Sequence, residues 1–145
     1  MNFKEKFGAV GVLNLKVIEN GTVVETFQEK NLIVNGGRAA IAELIGAATS
    51  GKAVNTIGFG TGATLPELTD TALTGQFTKP VGFVSYPANE TVQFDFTLEV
   101  GENNGVTIRE FGLFCADGTL FSRKVRAAIE KTSAIRLEGF WTIQF

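Results

Sequence analysis

Leu13, Leu15 and Val17 alternate with Asn14 and Lys16, the two-residue period of a strand with one buried and one wet face. Asn20-Gly21 follows and supplies both positive-φ positions of a type I′ turn, so Leu13–Ile18 and Thr22–Gln28 are predicted to form a hairpin. The period is cleanest at Val92, Phe94, Phe96, Leu98 and Val100, set against Gln93, Asp95, Thr97 and Glu99. From Ile135 to Phe145 it returns, and only Phe140 breaks the polar face. Further extended segments are expected at Thr56–Gly60, Val106–Ala116 and Thr119–Val125, the last two joined by a second I′-type turn at Asp117-Gly118. Phe77–Tyr86 is interrupted by Pro80 and followed by Pro87. Proline lacks the N–H that a ladder needs, which places this segment at a sheet edge or bend. Ile41, Leu44 and Ile45 fall on one helical face, so one short helix is expected at about residues 37–46, with Asn35 as N-cap and Gly46 just past its end. Ala47–Ala53 reads as a surface loop. The sum is a mainly β chain: an antiparallel sandwich or open barrel of about seven or eight strands, with the helix covering one end. Residues 10–145 read as a single domain and residues 1–9 as an N-terminal arm.

Composition narrows the chemistry. Apolar residues make up 44% of the 145 positions and charged residues 19%, enough apolar surface to offset the entropy of ordering the chain. The net charge is −2 with Lys and Arg dispersed, so no field collects phosphate backbones and nucleic acid is not an expected partner. No run approaches the roughly 18 apolar residues of a membrane span, and the N-terminus has no secretory leader, so membrane insertion is not expected and assembly is expected in the cytoplasm. There is no His, which removes the usual base near neutral pH and the commonest metal ligand. Cys115 is the single cysteine and lies inside the apolar run Phe111–Ala116, where a buried thiol is expected. The sequence therefore assigns no catalytic residue, no metal and no cofactor, and a non-enzymatic protein is the expectation.

Three clusters are weighed against that. Gly58-Phe-Gly-Thr-Gly62 lacks both the spacing and the following helix of a dinucleotide site, and Pro66 makes a loop its continuation; a glycine turn or close backbone approach is expected. Glu110 and Glu138 are the pair that would serve a glycosidase if held about 5–9.5 Å apart. Arg109 beside Glu110, with Arg123, Arg126 and Arg136 available, favours an ion pair that orients strands. Arg123-Lys-Val-Arg126, with Lys131 and Arg136, reads as a solvated strand end or an acidic-partner contact. The thirteen Phe carry more information, because Phe3, Phe7, Phe83 and Phe140 fit no neighbouring alternation and are candidates for an assembly interface.

A series of phrases in this chain resembles small tail proteins of tailed bacteriophages and prophages, namely fibre-type and baseplate-associated proteins. They are Asn31-Leu-Ile-Val-Asn-Gly-Gly-Arg38, Ile57-Gly-Phe-Gly-Thr-Gly62, Asp70-Thr-Ala-Leu-Thr74, Val92-Gln-Phe-Asp-Phe-Thr-Leu98, Ile108-Arg-Glu-Phe-Gly-Leu-Phe114, Asp117-Gly-Thr-Leu-Phe-Ser-Arg123 and Trp141-Thr-Ile-Gln-Phe145. The resemblance spans about residues 10–145 and implies a virion structural subunit of the tail: a β-rich homo-oligomer, expected as a trimer, docking to other tail or baseplate proteins. It brings no catalytic residues. Longer fibre proteins continue into a shaft and receptor-binding tip, whereas this chain stops at Phe145, so an adaptor or short-fibre role is the expectation. The alternative is a carbohydrate- or receptor-binding module for the bacterial surface, resting on the β-rich architecture and on Trp141 and Tyr86.

Overall fold

The computed structural model describes residues 8–48 and 50–145. Its elements run β1 (Val10–Glu19), β2 (Thr22–Ile33), α1 (Asn35–Gly46), β3 (Val54–Gly60), β4 (Phe77–Pro80), β5 (Phe83–Ala88), β6 (Thr91–Leu98), β7 (Val106–Cys115), β8 (Leu120–Lys131) and β9 (Ile135–Gln144). The strands form one curled antiparallel sheet, a half-barrel in the order β4-β3-β7-β8-β2-β1-β9-β6-β5. The mainly β fold with one helix is as expected. Among the described residues there are nine strands because the Phe77–Tyr86 segment splits into β4 and β5, and these two proline-bearing strands are the two edges of the sheet, where a missing ladder donor costs least.

The β1–β2 hairpin closes through Asn20 and Gly21, both at positive φ (49° and 82°). Between Val17 and Ile18 the pairing slips by one residue: Ile18 opposes Val23, whereas Val17 opposes Glu25. This bulge leaves Val24 unpaired and sets the register of the rest of the hairpin. The β7–β8 turn differs from the expected I′ type. Cys115 N–H donates to Thr119 O (2.8 Å), Gly118 N–H donates to Cys115 O (2.9 Å), and only Gly118 has positive φ. The connection is thus a three-residue loop ending on a left-handed glycine.

The sheet has two halves, β5-β6-β9-β1-β2 and β8-β7-β3-β4, joined where Leu32 and Ile33 at the end of β2 pair with Arg123 and Ser122 of β8. Inward-facing Leu13, Leu15, Phe94, Phe96, Leu137 and Trp141 of the first half meet Ile57, Phe59, Phe111 and Leu113 of the second. The Phe59 ring stands edge-on to Phe96 (6.1 Å), fastening the halves across the core, and to Phe111 of its own half (5.5 Å). Each such side chain contributes about 1.5–3 kcal/mol by leaving water.

Helix α1 begins two residues before the expected position. Val34 and not Asn35 precedes its first turn, no side chain caps it, and the Asn35 N–H instead donates to Leu68 O (2.8 Å). Its left-handed terminating residue is Ala47, one past Gly46, with Ala48 N–H bonded to Glu43 O (3.1 Å) and Ala47 N–H to Leu44 O (3.3 Å). Ala40 and Ile41 pack on the core at the end where β2 passes from one half to the other.

Candidate functional site

The outward faces of the two halves differ. In β3 and β7 the segments Ile57–Gly60 and Glu110–Cys115 are buried on both faces, so a second layer has to cover their outer side. That layer is the loop 61–76, to which the start of α1 is tied by the hydrogen bond from Asn35 N–H to Leu68 O, while α1 itself packs against β8 and β2. Beneath it Val34, Leu73, Phe114 and Leu120 form a small second core, and Gly58 and Gly112 leave room for the Phe114 ring.

Glu110 holds the loop in place. Its carboxylate is buried and accepts hydrogen bonds from the Gly62 N–H, the Thr74 N–H (3.0 Å) and Arg123 Nε (3.0 Å). Arg123 then donates to Asp70 Oδ2 (2.9 Å) and to Thr64 O (2.9 Å). Gly60 and Gly62 are glycines because a Cβ at either would run into the Glu110 side chain. The glycine motif is therefore a close backbone approach, and Glu110 with Arg123 is an ion pair as expected, although what it fixes is a loop. Glu138 lies on the exposed face of β9, paired with Arg136 at 2.9 Å. The two carboxylates thus belong to separate ion pairs in opposite halves of the sheet.

The basic run is neither a solvated strand end nor an open anion contact. Arg123 is buried, Lys124 reaches Glu29 (2.9 Å), and Arg126 reaches Glu25 (3.0 Å) while lying 4.9 Å from the centre of the Phe27 ring. These pairs bridge β8 to the part of β2 that no longer hydrogen-bonds to it. Lys131 is buried against Asn104 Oδ1 (2.8 Å) and Thr132 O (3.1 Å), and burial pushes its pKa down. Cys115 is buried, with its thiol raised to about 11 by burial and by the Asp117 charge, so it stays protonated and unreactive near neutral pH.

The outer face of the first half has no covering layer among the described residues. One cross-strand row runs over all five strands: Gln28 opposes Asn14, Asn14 opposes Phe140, Phe140 opposes Asp95, and Asp95 opposes Phe83. The adjacent row is Thr26, Lys16, Glu138 and Thr97. The two rows line an open groove of about 660 Å³, walled at one end by Lys79, Pro80 and Gly82 where the chain crosses from β4 to β5. Phe83 is 59% exposed and Phe140 38%. Two of the four aromatics singled out in the sequence are therefore brought together in one site, while Phe3 and Phe7 lie outside the described residues. Trp141 is fully buried in the core, so the surface role given to it is corrected: the inward half of the β9 alternation claims it. Tyr86 is 76% exposed on edge strand β5. Asn14, Gln28 and Asp95 were not singled out, because nothing local marks a polar residue on a wet strand face as part of a site.

No family model matches the chain, and neither the curated proteins nor the solved structures contain a match. No helix among the described residues is long and apolar enough to cross a membrane, and no group of three or more Cys, Asp or Glu side chains there could hold a metal.

Proposed function

We propose that this chain is a structural subunit of a bacteriophage tail, a fibre or fibre-adaptor protein that self-assembles and docks at the baseplate or tail tip, working through surface contact and not catalysis. The sequence phrases point to that family. The observation that carries the reading is the outer surface of α1 and the loop 61–76, two segments joined by the Asn35–Leu68 hydrogen bond: it exposes Ile45 (84%) and Leu65 (79%), with Leu44 and Leu68 partly exposed beside them in sequence. A layer that only shields strands has no use for large aliphatic side chains on its outer side, whereas a subunit interface does. This reading places the assembly contact there, on α1 and the loop 61–76, and leaves Phe83 and Phe140 free.

Sedimentation velocity over a concentration series tests it. A self-associating species, reduced to monomer by Ile45→Glu or Leu65→Glu with an unchanged melting temperature, is the expected result. A strictly monomeric wild-type protein that also fails to bind purified tail proteins would overturn it.

A further inference from the structure

We infer that the groove across β2, β1, β9, β6 and β5 is a binding site for an uncharged saccharide chain. The inference goes beyond the assembly reading and uses a different surface.

The argument begins with the order of side chains along the row. Gln28, Asn14, Phe140, Asp95 and Phe83 present two amides, a ring, a carboxylate and a second ring. Neighbouring strands lie about 4.8 Å apart, so the two rings flank Asp95 at a separation of roughly 10 Å along the groove. A sugar ring has an apolar C–H face and an equatorial rim of hydroxyls. The face packs on an aromatic ring, and the rim needs groups that both donate and accept. Side-chain amides do both. Asp95 Oδ1 accepts a hydrogen bond from Gln93 Nε2 at 2.9 Å, which steadies the carboxylate as an acceptor in the row.

Charge decides the ligand class. Lys79 is paired with Glu102 (2.7 Å) and Glu138 with Arg136 (2.9 Å), so the groove keeps Lys16 and Asp95, one of each sign, outside ion pairs among the described residues. A polyanion would meet Asp95 and a polycation Lys16. The centre of a protein interface is depleted in Lys, Asp and Glu, whereas this groove carries four of them around two rings. Its volume falls within the few hundred to 1,000 Å³ usual for small-ligand clefts.

The test is an array of neutral di- to tetrasaccharides, followed by titration of the ¹⁵N-labelled full chain with maltotriose and triacetylchitotriose as fixed soluble probes. Binding is expected to shift amides of the two rows and leave those of α1 and the loop 61–76 in place. Phe140→Ala and Phe83→Ala should each weaken it about tenfold, as for a ring at the centre of a binding site, and Phe140→Tyr should retain it. Ile45→Glu, on the surface assigned to assembly, should bind as wild type, so loss of self-association and loss of saccharide binding are read separately. The inference fails if the folded wild-type chain gives no array hit and no shift with either trisaccharide, or if binding survives loss of both rings. It also fails if only charged glycans bind in a salt-dependent way, or if the rows become protected in a second copy of the chain.

Discussion

The two halves of this sheet bury their inner faces against each other but treat their outer faces in opposite ways. β3 and β7 are buried on both sides and are roofed by the loop 61–76, fastened by Glu110, Arg123 and Asp70. β1, β6 and β9 alternate strictly and leave their outer side open, with Phe83 and Phe140 on it. The difference teaches how to weigh polar and aromatic residues in such a chain. A charged group where both faces are buried has been recruited to hold a layer. An aromatic ring where the alternation calls for a polar residue has no such structural duty and is available for binding.

The largest effect should come from the fastening. Glu110→Ala leaves Arg123 buried without its first partner and frees the Gly62 and Thr74 amides, and should cost about 3–5 kcal/mol in denaturant unfolding. Faster hydrogen exchange in the loop 61–76 than in β1 or β9 should accompany it. A loss under about 1 kcal/mol would mean that apolar packing alone holds the roof.

A smaller effect tests how closely α1 sits on β8 and the end of β2. Gly to Ala in a helix ordinarily stabilises by about 1 kcal/mol. At Gly37 the added methyl would strike the Phe121 carbonyl oxygen and Ile33, so Gly37→Ala should instead destabilise by about 1–3 kcal/mol. Gly46→Ala at the far end of α1 points into open space and should show no such loss. Melting curves of the two variants separate close packing from a general intolerance of substitution.

The smallest effect lies at the β7–β8 turn. Lys52 and the Thr119 amide hold the Asp117 carboxyl at about 2, below its ordinary value of 3.8. A lowered folded pKa adds stability above the ordinary value that is lost as the pH falls from about 4 toward 2. Asp117→Asn should flatten stability against pH in that window and lower it slightly above pH 5, where the wild-type carboxylate is ionised and paired with Lys52, as read by unfolding at a series of pH values.

Much of this architecture was legible from period and turn chemistry. Asn20-Gly21 set the first hairpin, Pro80 and Pro87 marked edge strands, and the Phe140 exception flagged the open face. That Glu110 sits in an ion pair was legible from the arginines available to it, of which Arg123 was one of four candidates. What stayed hidden depends on contacts distant in sequence. A two-residue turn without a bulge places Asn14 opposite Phe27; the slip at Val17 moves Gln28 there and builds the row. The row then joins Gln28 to Phe83 through three intervening strands, a relation that no local pattern encodes. Trp141 was misplaced because an indole suits a surface platform as well as a core, and register decides between them.

The central claim is that the rings on the open outer face serve binding and not the stability of the fold. It is tested most directly by measuring unfolding free energy and trisaccharide binding side by side for Phe83→Ala/Phe140→Ala and for wild type. The account predicts a stability within about 1 kcal/mol of wild type, as for surface positions, together with loss of binding. A double variant that unfolds several kcal/mol more easily, or that binds as wild type does, would contradict it.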